Sequence, residues 1–306
     1  MKLQISNFKW LMVAFVAALV AMQVGCASIA QVGAAVGEAA GVITPQQGQS
    51  MIKVGQSLDK TFADITPEQE YYIGRAVGAT VVSQYKVYDQ DRATEYINQI
   101  GQSLALVSLK PETFGGYHFL ILESDEINAF AAPGGFIFLS RGMLRLCRSE
   151  DDVAAVLAHE IGHVELQHAL RAIKGSRLTG ALTTLAVEGA KSFGGEQLAQ
   201  LTEAFEGSIG DITGTLMNSG YARKQEYQAD ESAIRILKAM GYDPRALPRV
   251  LNEMQKQLKP ERHDFAATHP PPQDRVKDLE KMIGNAPEKQ IPAARQKRFA
   301  KALGGI

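Results

Sequence analysis

The HExxH pentapeptide His159–His163 is the feature that most constrains how this chain can fold. It lies in a segment that is apolar on nearly every side, which predicts a buried helix that Ser149 caps and that runs to about Leu170. Residues four apart in a helix lie one turn above each other, so both imidazoles can bind one metal ion. Burying two imidazoles and a carboxylate without partners would be costly, and a metal ion supplies a partner. The alternative is two core histidines that bond backbone carbonyls.

A catalytic zinc ion usually has a third protein ligand, and the motif helix does not offer one. His168 is the nearest histidine, but it follows His159 by nine residues, about 180° around a continuous helix, and is expected to face away. The longer HExxHxxGxxH pattern is absent, because Leu166 and Ala169 stand where it requires glycine and histidine. The third ligand must therefore come from elsewhere in the chain.

Glu226 and Asp230 lie on one face of a second predicted helix, about 221–240. Apolar residues continue that face and charged residues occupy the opposite side, so both carboxylates lie at the end of a core-facing stripe. Buried carboxylates need a cation or hydrogen-bond donors. We expect Glu226 to be the third metal ligand and Asp230 to accept a hydrogen bond from a ligand imidazole. A capping or salt-bridged pair near Arg223 and Lys224 is the alternative.

The composition is that of an ordinary globular protein and excludes several classes. The chain of 306 residues has 32 Lys and Arg against 33 Asp and Glu, a net charge of −1, so no basic surplus indicates nucleic acid as a partner. Its 2 cysteines cannot build a disulfide scaffold, and Cys147 fits a small buried side chain. We expect an α+β fold that is mainly helical, with a hairpin formed by residues 129–132 and 136–139.

The first 25 residues have the pattern of a signal peptide. Two lysines precede the apolar run Trp10–Met22, which is too short to span a bilayer comfortably. The ending Val24-Gly25-Cys26 resembles a bacterial lipobox, which implies a lipid anchor on Cys26, and Ala27 implies sorting to the outer membrane. Ordinary cleavage after Ser28-Ile29-Ala30 and an uncleaved anchor are the alternatives.

The rest of the chain divides into a tether, a folded domain and a tail. Residues 26–65 are rich in Ala, Gly and Gln and are predicted to be the lipid-anchored tether. A capping box that begins at Thr66 opens the domain, 66–284. Inside it, the Gly-rich segment 171–219 lies between the two predicted metal-binding helices and is a candidate lid. Residues 285–306 are predicted to be a C-terminal tail.

Four motifs in this order resemble the zinc metallopeptidase family of the HtpX heat-shock proteases and the CAAX prenyl proteases. The motifs are Asn128–Gly135, His159–His163, Glu226–Asp230, and His269-Pro270 with Arg275. The match spans about Thr66 to Leu279 and is most similar to the soluble periplasmic lipoprotein members, which are zincins with a glutamate third ligand. The resemblance implies a zincin-like fold with a small antiparallel sheet, an HExxH active-site helix and one Zn²⁺ per chain.

The resemblance also implies roles for individual residues. Glu160 would be the general base that takes a proton from a metal-activated water, and His269 would stabilise the oxyanion. Arg275, with Asp230, would support the metal ligands. The alternative for His269 is a loop histidine at a helix start, and the alternative for Arg275 is a structural ion-pair donor.

The predicted hairpin would offer an edge strand on which an extended substrate pairs through backbone hydrogen bonds. The expected substrate-binding residues are Asn128, Ala131, Pro133, Gly134 and Phe136. Such binding depends on the backbone more than on side chains, and it suits a protease that acts on unfolded chains. A plain core sheet is the alternative.

These features together predict a zinc-dependent endopeptidase of the bacterial cell envelope. It would be lipid-anchored in the periplasm and would hydrolyse peptide bonds of misfolded or stalled envelope proteins. One alternative is a metal-containing periplasmic chaperone or binding module with little proteolysis, but Glu160 is hard to explain if no water is activated. The other is a structural lipoprotein with a fortuitous motif, which would bind no zinc.

Overall fold

Thr66 begins the folded unit with the capping box that the sequence predicts. Its hydroxyl accepts a hydrogen bond from the Gln69 amide, and the Gln69 side chain accepts one from the Thr66 amide. The computed structural model describes residues 65–172, 206–207, 209–257, 269, 272–285, 287 and 289–306. Apart from Ile65, these residues belong to one unit, Thr66–Ile306. The predicted signal peptide, the tether with Cys26 up to residue 64, and most of the candidate lid 171–219 lie outside the described residues.

Helices make up most of the described structure, as expected. They are α1 (Pro67–Gln84), α2 (Asp91–Ala105), α3 (Arg141–Leu146), α4 (Glu150–Glu165), α5 (Arg223–Ala239), α6 (Ala246–Gln257), α7 (Pro272–Ile283) and α8 (Ala293–Leu303). Short 3-10 turns lie at Pro133–Gly135 and Leu170–Ala172, and a π-turn lies at Thr215–Ser219. Within the described ranges, none of the helices combines the length and apolar character that crossing a membrane requires.

Three strands form one small sheet, in the order β1 (His118–Leu122), β3 (Phe136–Ser140) and β2 (Ala129–Ala132). The predicted hairpin is present, because β2 and β3 pair in the antiparallel sense. β1, however, pairs with β3 in parallel. The chain reverses once between β1 and β2 and again in the hairpin, so the central strand β3 runs in the same direction as β1. The α+β, mainly helical class is confirmed, but the sheet is mixed rather than antiparallel.

Helix α4 lies at the centre of the unit, and every residue from Glu150 to Val164 is buried. Helices α2, α5 and α6 and strand β2 pack around it. Apolar side chains of α4 join those of the three helices in one hydrophobic core. A helix surrounded in this way buries its polar side chains as well. The histidines and the glutamate of the HExxH motif therefore lie inside the protein, as the sequence predicts.

Helix α4 ends at Glu165, earlier than predicted. Gln167 adopts a left-handed backbone conformation with φ of 54°, and its side-chain amide donates to Glu70 Oε2 of α1 at 3.1 Å. The His168 amide then donates to the His163 carbonyl at 3.0 Å. A tertiary contact thus stabilises the turn that ends the helix. The helical periodicity that placed His168 on the far face does not apply beyond this turn.

Residues 285–306, predicted to be a tail, contain helix α8, which packs against α2 and α4. Leu303 is buried in the core. The Arg298 guanidinium donates to both oxygens of Glu150 at 2.5 and 3.0 Å, and Arg295 lies 3.3 Å from Asp151. The sequence did not indicate this helix, because its one fully buried side chain, Leu303, makes too weak a periodic pattern.

Candidate metal centre

Helices α4 and α5 pack against each other and bring the predicted metal ligands together. His159, Glu160 and His163 come from α4, and Glu226 and Asp230 come from the first half of α5. The face of α5 that bears the two carboxylates is buried along its length, and the opposite side carries exposed charged residues. The amphipathic pattern of this helix is therefore the one that the sequence predicts.

The two histidine rings and one carboxylate converge on a common point. His159 Nε2 lies 3.1 Å from His163 Nε2. Glu226 Oε2 lies 3.5 Å from His159 Nε2, and Glu226 Oε1 lies 3.5 Å from His163 Nε2. A tetrahedral ion with bonds of about 2.0–2.1 Å keeps its ligand atoms about 3.3 Å apart. The spacing of the three groups therefore fits an ion of the size of zinc.

His269, which precedes α7, joins the same group. Its Nδ1 lies 2.8 Å from Glu226 Oε1. One ligand atom from each of His159, His163, Glu226 and His269 lies within 4.8 Å of the others, and all four residues are buried. The family resemblance implies that His269 acts on the reacting carbonyl, and the structure places its ring beside Glu226.

Asp230 contacts His159 at Nδ1, the ring nitrogen that does not face His163, and Arg275 in turn binds Asp230. Asp230 Oδ1 lies 3.0 Å from His159 Nδ1, the contact that the spacing along α5 predicts. The Arg275 guanidinium donates to both oxygens of Asp230, at 2.9 and 2.6 Å, and its Nη1 lies 3.2 Å from Glu226 Oε2. A carboxylate bonded to Nδ1 orients an imidazole so that Nε2 is available to a metal. Asp230, which Arg275 binds, therefore orients the His159 ring so that its Nε2 can bind a metal.

The electrostatics of the group favour a cation. Burial and the Arg275 guanidinium lower the pKa of His159, but hydrogen bonds to Asp230 and Glu226 outweigh them and raise it to about 9. Burial raises the pKa of Glu160, and neither of its carboxylate oxygens has a hydrogen-bond partner among the described residues. Asp230 and Glu226 thus favour positive charge at His159, and a divalent ion would supply that charge in place of a proton.

Two further residues of this cluster were not predicted. His168 is fully buried, and its Nδ1 lies 3.0 Å from His163 Nδ1, so the expectation that it faces away is wrong. Tyr221 stacks on the His163 ring, with centroids 4.2 Å apart and an interplanar angle of 19°. No sequence signal indicated either residue, because His168 follows a helix end that a distant contact stabilises and Tyr221 precedes α5.

The predicted substrate-binding residues lie on the outer strand β2 and around its turn. They are Asn128, Ala131, Pro133, Gly134 and Phe136. The Ala131 carbonyl lies 3.5 Å from the hydroxyl of Tyr221, which stacks on His163, and both β2 and its turn contact α4. The turn packs against α1, where the Gly134 amide donates to Glu70 Oε1 at 3.1 Å. The π-turn Thr215–Ser219 also contacts β2, so the strand is covered in this structure.

Comparison with known proteins identifies the family. The sequence profile of Peptidase family M48 matches residues 91–283, more than half of the chain. The chain is similar to the beta-barrel assembly-enhancing protease of Escherichia coli (strain K12), with 28% identity over 270 residues that cover 85% of this chain and 51% of that protein. It thus spans about half the length of this relative.

Two shorter matches agree with this comparison. The mitochondrial metalloendopeptidase OMA1 of Schizosaccharomyces pombe is 26% identical over 246 residues, which cover 76% of this chain and 65% of that protein. The metalloprotease LoiP of Escherichia coli (strain K12) is 27% identical over 162 residues, which cover 53% of this chain and 61% of that protein. The matched profile includes both helices that carry the metal centre. The chain therefore belongs to Peptidase family M48, which confirms the metallopeptidase family that its motifs predict.

Proposed function

We propose that this protein is a zinc-dependent endopeptidase with one Zn²⁺ per chain. The observation that carries the proposal is the convergence of His159, His163 and Glu226, whose ligand atoms lie 3.1–3.5 Å apart. Two imidazoles and one carboxylate, with a fourth position left for water or substrate, form a common ligand set of catalytic zinc. The relatives named as a metalloprotease and a metalloendopeptidase support the same activity.

The residues around the three ligands can supply the steps of peptide hydrolysis. A bound Zn²⁺ would polarise the scissile carbonyl and lower the pKa of its bound water to roughly 7. Glu160 would take the proton of the attacking water and pass it to the leaving amine. Its raised pKa suits this role, because a buried carboxylate holds a proton more readily than an exposed one. His269 would stabilise the negative charge on the carbonyl oxygen, and Asp230 with Arg275 would orient His159.

Extended, unfolded polypeptides are the substrates that we propose for this site. Strand β2, with Asn128, Ala131 and the turn before Phe136, would pair with the substrate backbone. In this structure the three metal ligands are only 1–2% exposed. Hydrolysis at this site would therefore require that these ligands become accessible to the substrate.

The proposed site of action is the periplasm of a bacterial cell, at the outer membrane. The signal-peptide pattern of residues 1–25 and the lipobox-like Cys26 support a lipid anchor, with residues 26–65 as the tether. The similarity to a protease named for enhancing beta-barrel assembly supports misfolded or stalled envelope proteins as substrates. A chaperone that keeps the metal but rarely cleaves is the alternative.

The variant Glu160→Gln tests the proposal, because it removes the general base and keeps the metal ligands. We expect the purified variant to lose cleavage of casein while it retains zinc, as measured by elemental analysis. Glu231→Gln is the matched control, since Glu231 is exposed on α5. A parent protein without zinc would contradict the enzyme and the metal site together. Undiminished cleavage by Glu160→Gln would contradict the mechanism, and an unchanged envelope phenotype of this variant would favour the chaperone.

A further inference from the structure

His168 is fully buried and contacts the His163 ring at Nδ1, the nitrogen that does not face His159. The Nδ1 atoms of the two rings are 3.0 Å apart, while His163 Nε2 faces His159 and Glu226. The left-handed turn at Gln167 brings His168 back to this position after α4 has ended. The chain therefore places a second imidazole on the side of His163 that the proposed metal does not occupy.

A hydrogen bond between two ring nitrogens requires a proton on one nitrogen and a lone pair on the other. A histidine that binds a metal through Nε2 carries its proton on Nδ1. In the His163–His168 pair, His163 Nδ1 must then donate and His168 Nδ1 must accept. The opposite arrangement would put the proton of His163 on Nε2, where it would block metal binding.

The two metal-binding histidines are oriented by different partners. His159 Nδ1 contacts the Asp230 carboxylate, which Arg275 holds in place. His163 Nδ1 contacts an imidazole, and the stacked Tyr221 ring fixes the plane of the His163 ring. His168 thus contacts Nδ1 of His163 in the same way as Asp230 contacts Nδ1 of His159.

We propose that His168 is a positioning residue of the metal centre, which accepts a hydrogen bond from His163 Nδ1 and so keeps His163 Nε2 available as a metal ligand. This inference rests on the proposed zinc site. It gives His168 a role in that site, although helical periodicity predicted that His168 would face away from it. Partners of this kind typically change metal affinity by about 10–100-fold when they are removed.

Zinc affinity of the full mature chain tests the role of His168. The variant His168→Leu removes the acceptor, and we expect its zinc affinity to fall by about 10–100-fold in competition with a chromophoric chelator. His168→Asn, whose side-chain oxygen can accept the hydrogen bond, should recover most of that loss. At saturating zinc, casein cleavage by His168→Leu should show a lower kcat with an unchanged KM. His118→Leu, at an exposed histidine of β1, is the control and should bind zinc like the parent.

The outcomes separate this inference from the proposed function. Zinc binding by His168→Leu as tight as that of the parent would overturn the role of His168 and leave the enzyme intact. A parent chain that binds no zinc would overturn both. Nitrogen NMR of histidines in the zinc-loaded parent gives an answer even where His168→Leu does not fold. We expect His168 to carry its proton on Nε2, so that its Nδ1 can accept from His163, and a proton on His168 Nδ1 would refute the inference while leaving the zinc site in place.

Discussion

At the residue scale, Gly162 allows the close approach of the two helices that carry the proposed metal ligands. It occupies a variable position of the HExxH motif, at a contact between α4 and α5. A Cβ atom at this position would lie 3.0 Å from the Ala229 carbonyl oxygen and 3.0 Å from the Ser232 Cβ. Because these atoms belong to the helix that carries Glu226, a larger residue would push the two ligand-bearing helices apart. Glycine therefore permits the approach that brings Glu226 to the histidines.

The variant Gly162→Ala should destabilise the protein and weaken zinc binding. We expect the free energy of unfolding to fall by about 1–3 kcal/mol, the usual cost of overpacking a core. Urea unfolding and zinc titration measure the two effects. Gly210→Ala is the control, because Gly210 lies in a short helical segment, 209–214, and its added Cβ would meet no atom within 4 Å. A Gly162→Ala protein as stable as its parent would show that α5 can shift at no cost.

At the scale of elements, helix α8 supplies positive charge to the start of helix α4, which carries the HExxH motif. The first turn of α4 carries three consecutive buried acids, Glu150, Asp151 and Asp152. Acids are favourable at a helix N-terminus, but burial requires that they have partners. Arg298 of α8 supplies the partner of Glu150, and the hydroxyls of Tyr96 and Tyr242 also donate to it.

Arg298→Met should lower the free energy of unfolding by about 1.5–3 kcal/mol, the range for a hydrogen bond to a charged group. The Arg298 side chain is half exposed and Arg295 remains 3.7 Å from Glu150, so we expect less than the cost of leaving a buried charge without any partner. Chemical denaturation measures the change. Lys297→Met, at an exposed position of the same helix, should change stability by less than about 0.5 kcal/mol. Equal stabilities of the two variants would contradict the role of α8.

We expect the free energy of unfolding to fall at alkaline pH, because Tyr242, which donates a hydrogen bond to Glu150, has a raised pKa. Burial and the Glu150 carboxylate raise the pKa of Tyr242 from 10.0 to about 12. The folded state therefore holds this proton more tightly than the unfolded state does, and the resulting stabilisation is complete below pH 10 and is lost as the pH rises to about 12. Urea unfolding between pH 9 and 12 should show the decline, and Tyr242→Phe should reduce it. The exposed Tyr72 is the control position, since Tyr72→Phe should leave the decline unchanged.

At the scale of the whole molecule, the proposed metal joins distant parts of the chain. His159 and His163 come from α4, and Glu226 comes from α5. An ion that binds the folded state and not the unfolded chain stabilises the fold by mass action. Zinc is therefore expected to stabilise the protein as well as to activate water.

Chelation should lower the melting temperature of the parent protein. At free zinc about 100 times Kd, binding contributes about 2.7 kcal/mol. For a domain of this size, each kcal/mol shifts Tm by about 2–4 °C, so we expect a decrease of about 5–10 °C when zinc is removed. Differential scanning fluorimetry with and without a chelator measures it. His163→Ala should melt at one temperature in both conditions, and a parent protein insensitive to the chelator would argue against a stabilising metal.

Local geometry made several features predictable. The capping box at Thr66 and the hairpin of β2 and β3 depend on residues close in sequence, and the structure has both. The common face of His159 and His163 follows from the pitch of a helix. The face of α5 that carries Glu226 follows from its amphipathic pattern, although that pattern alone could not show which residues it would face.

The amino-acid sequence by itself determined the family, the buried motif helix and the residues from which a metal site could be built, because short-range spacing sets which side chains share a face. Tertiary structure alone decided that Glu226 reaches both histidines, that α4 stops at Glu165 and that His168 turns back towards His163. It also decided that β1 runs parallel to β3 and that α8 covers the acids of α4. These features depend on contacts between residues far apart in the chain, and no local periodicity contains them.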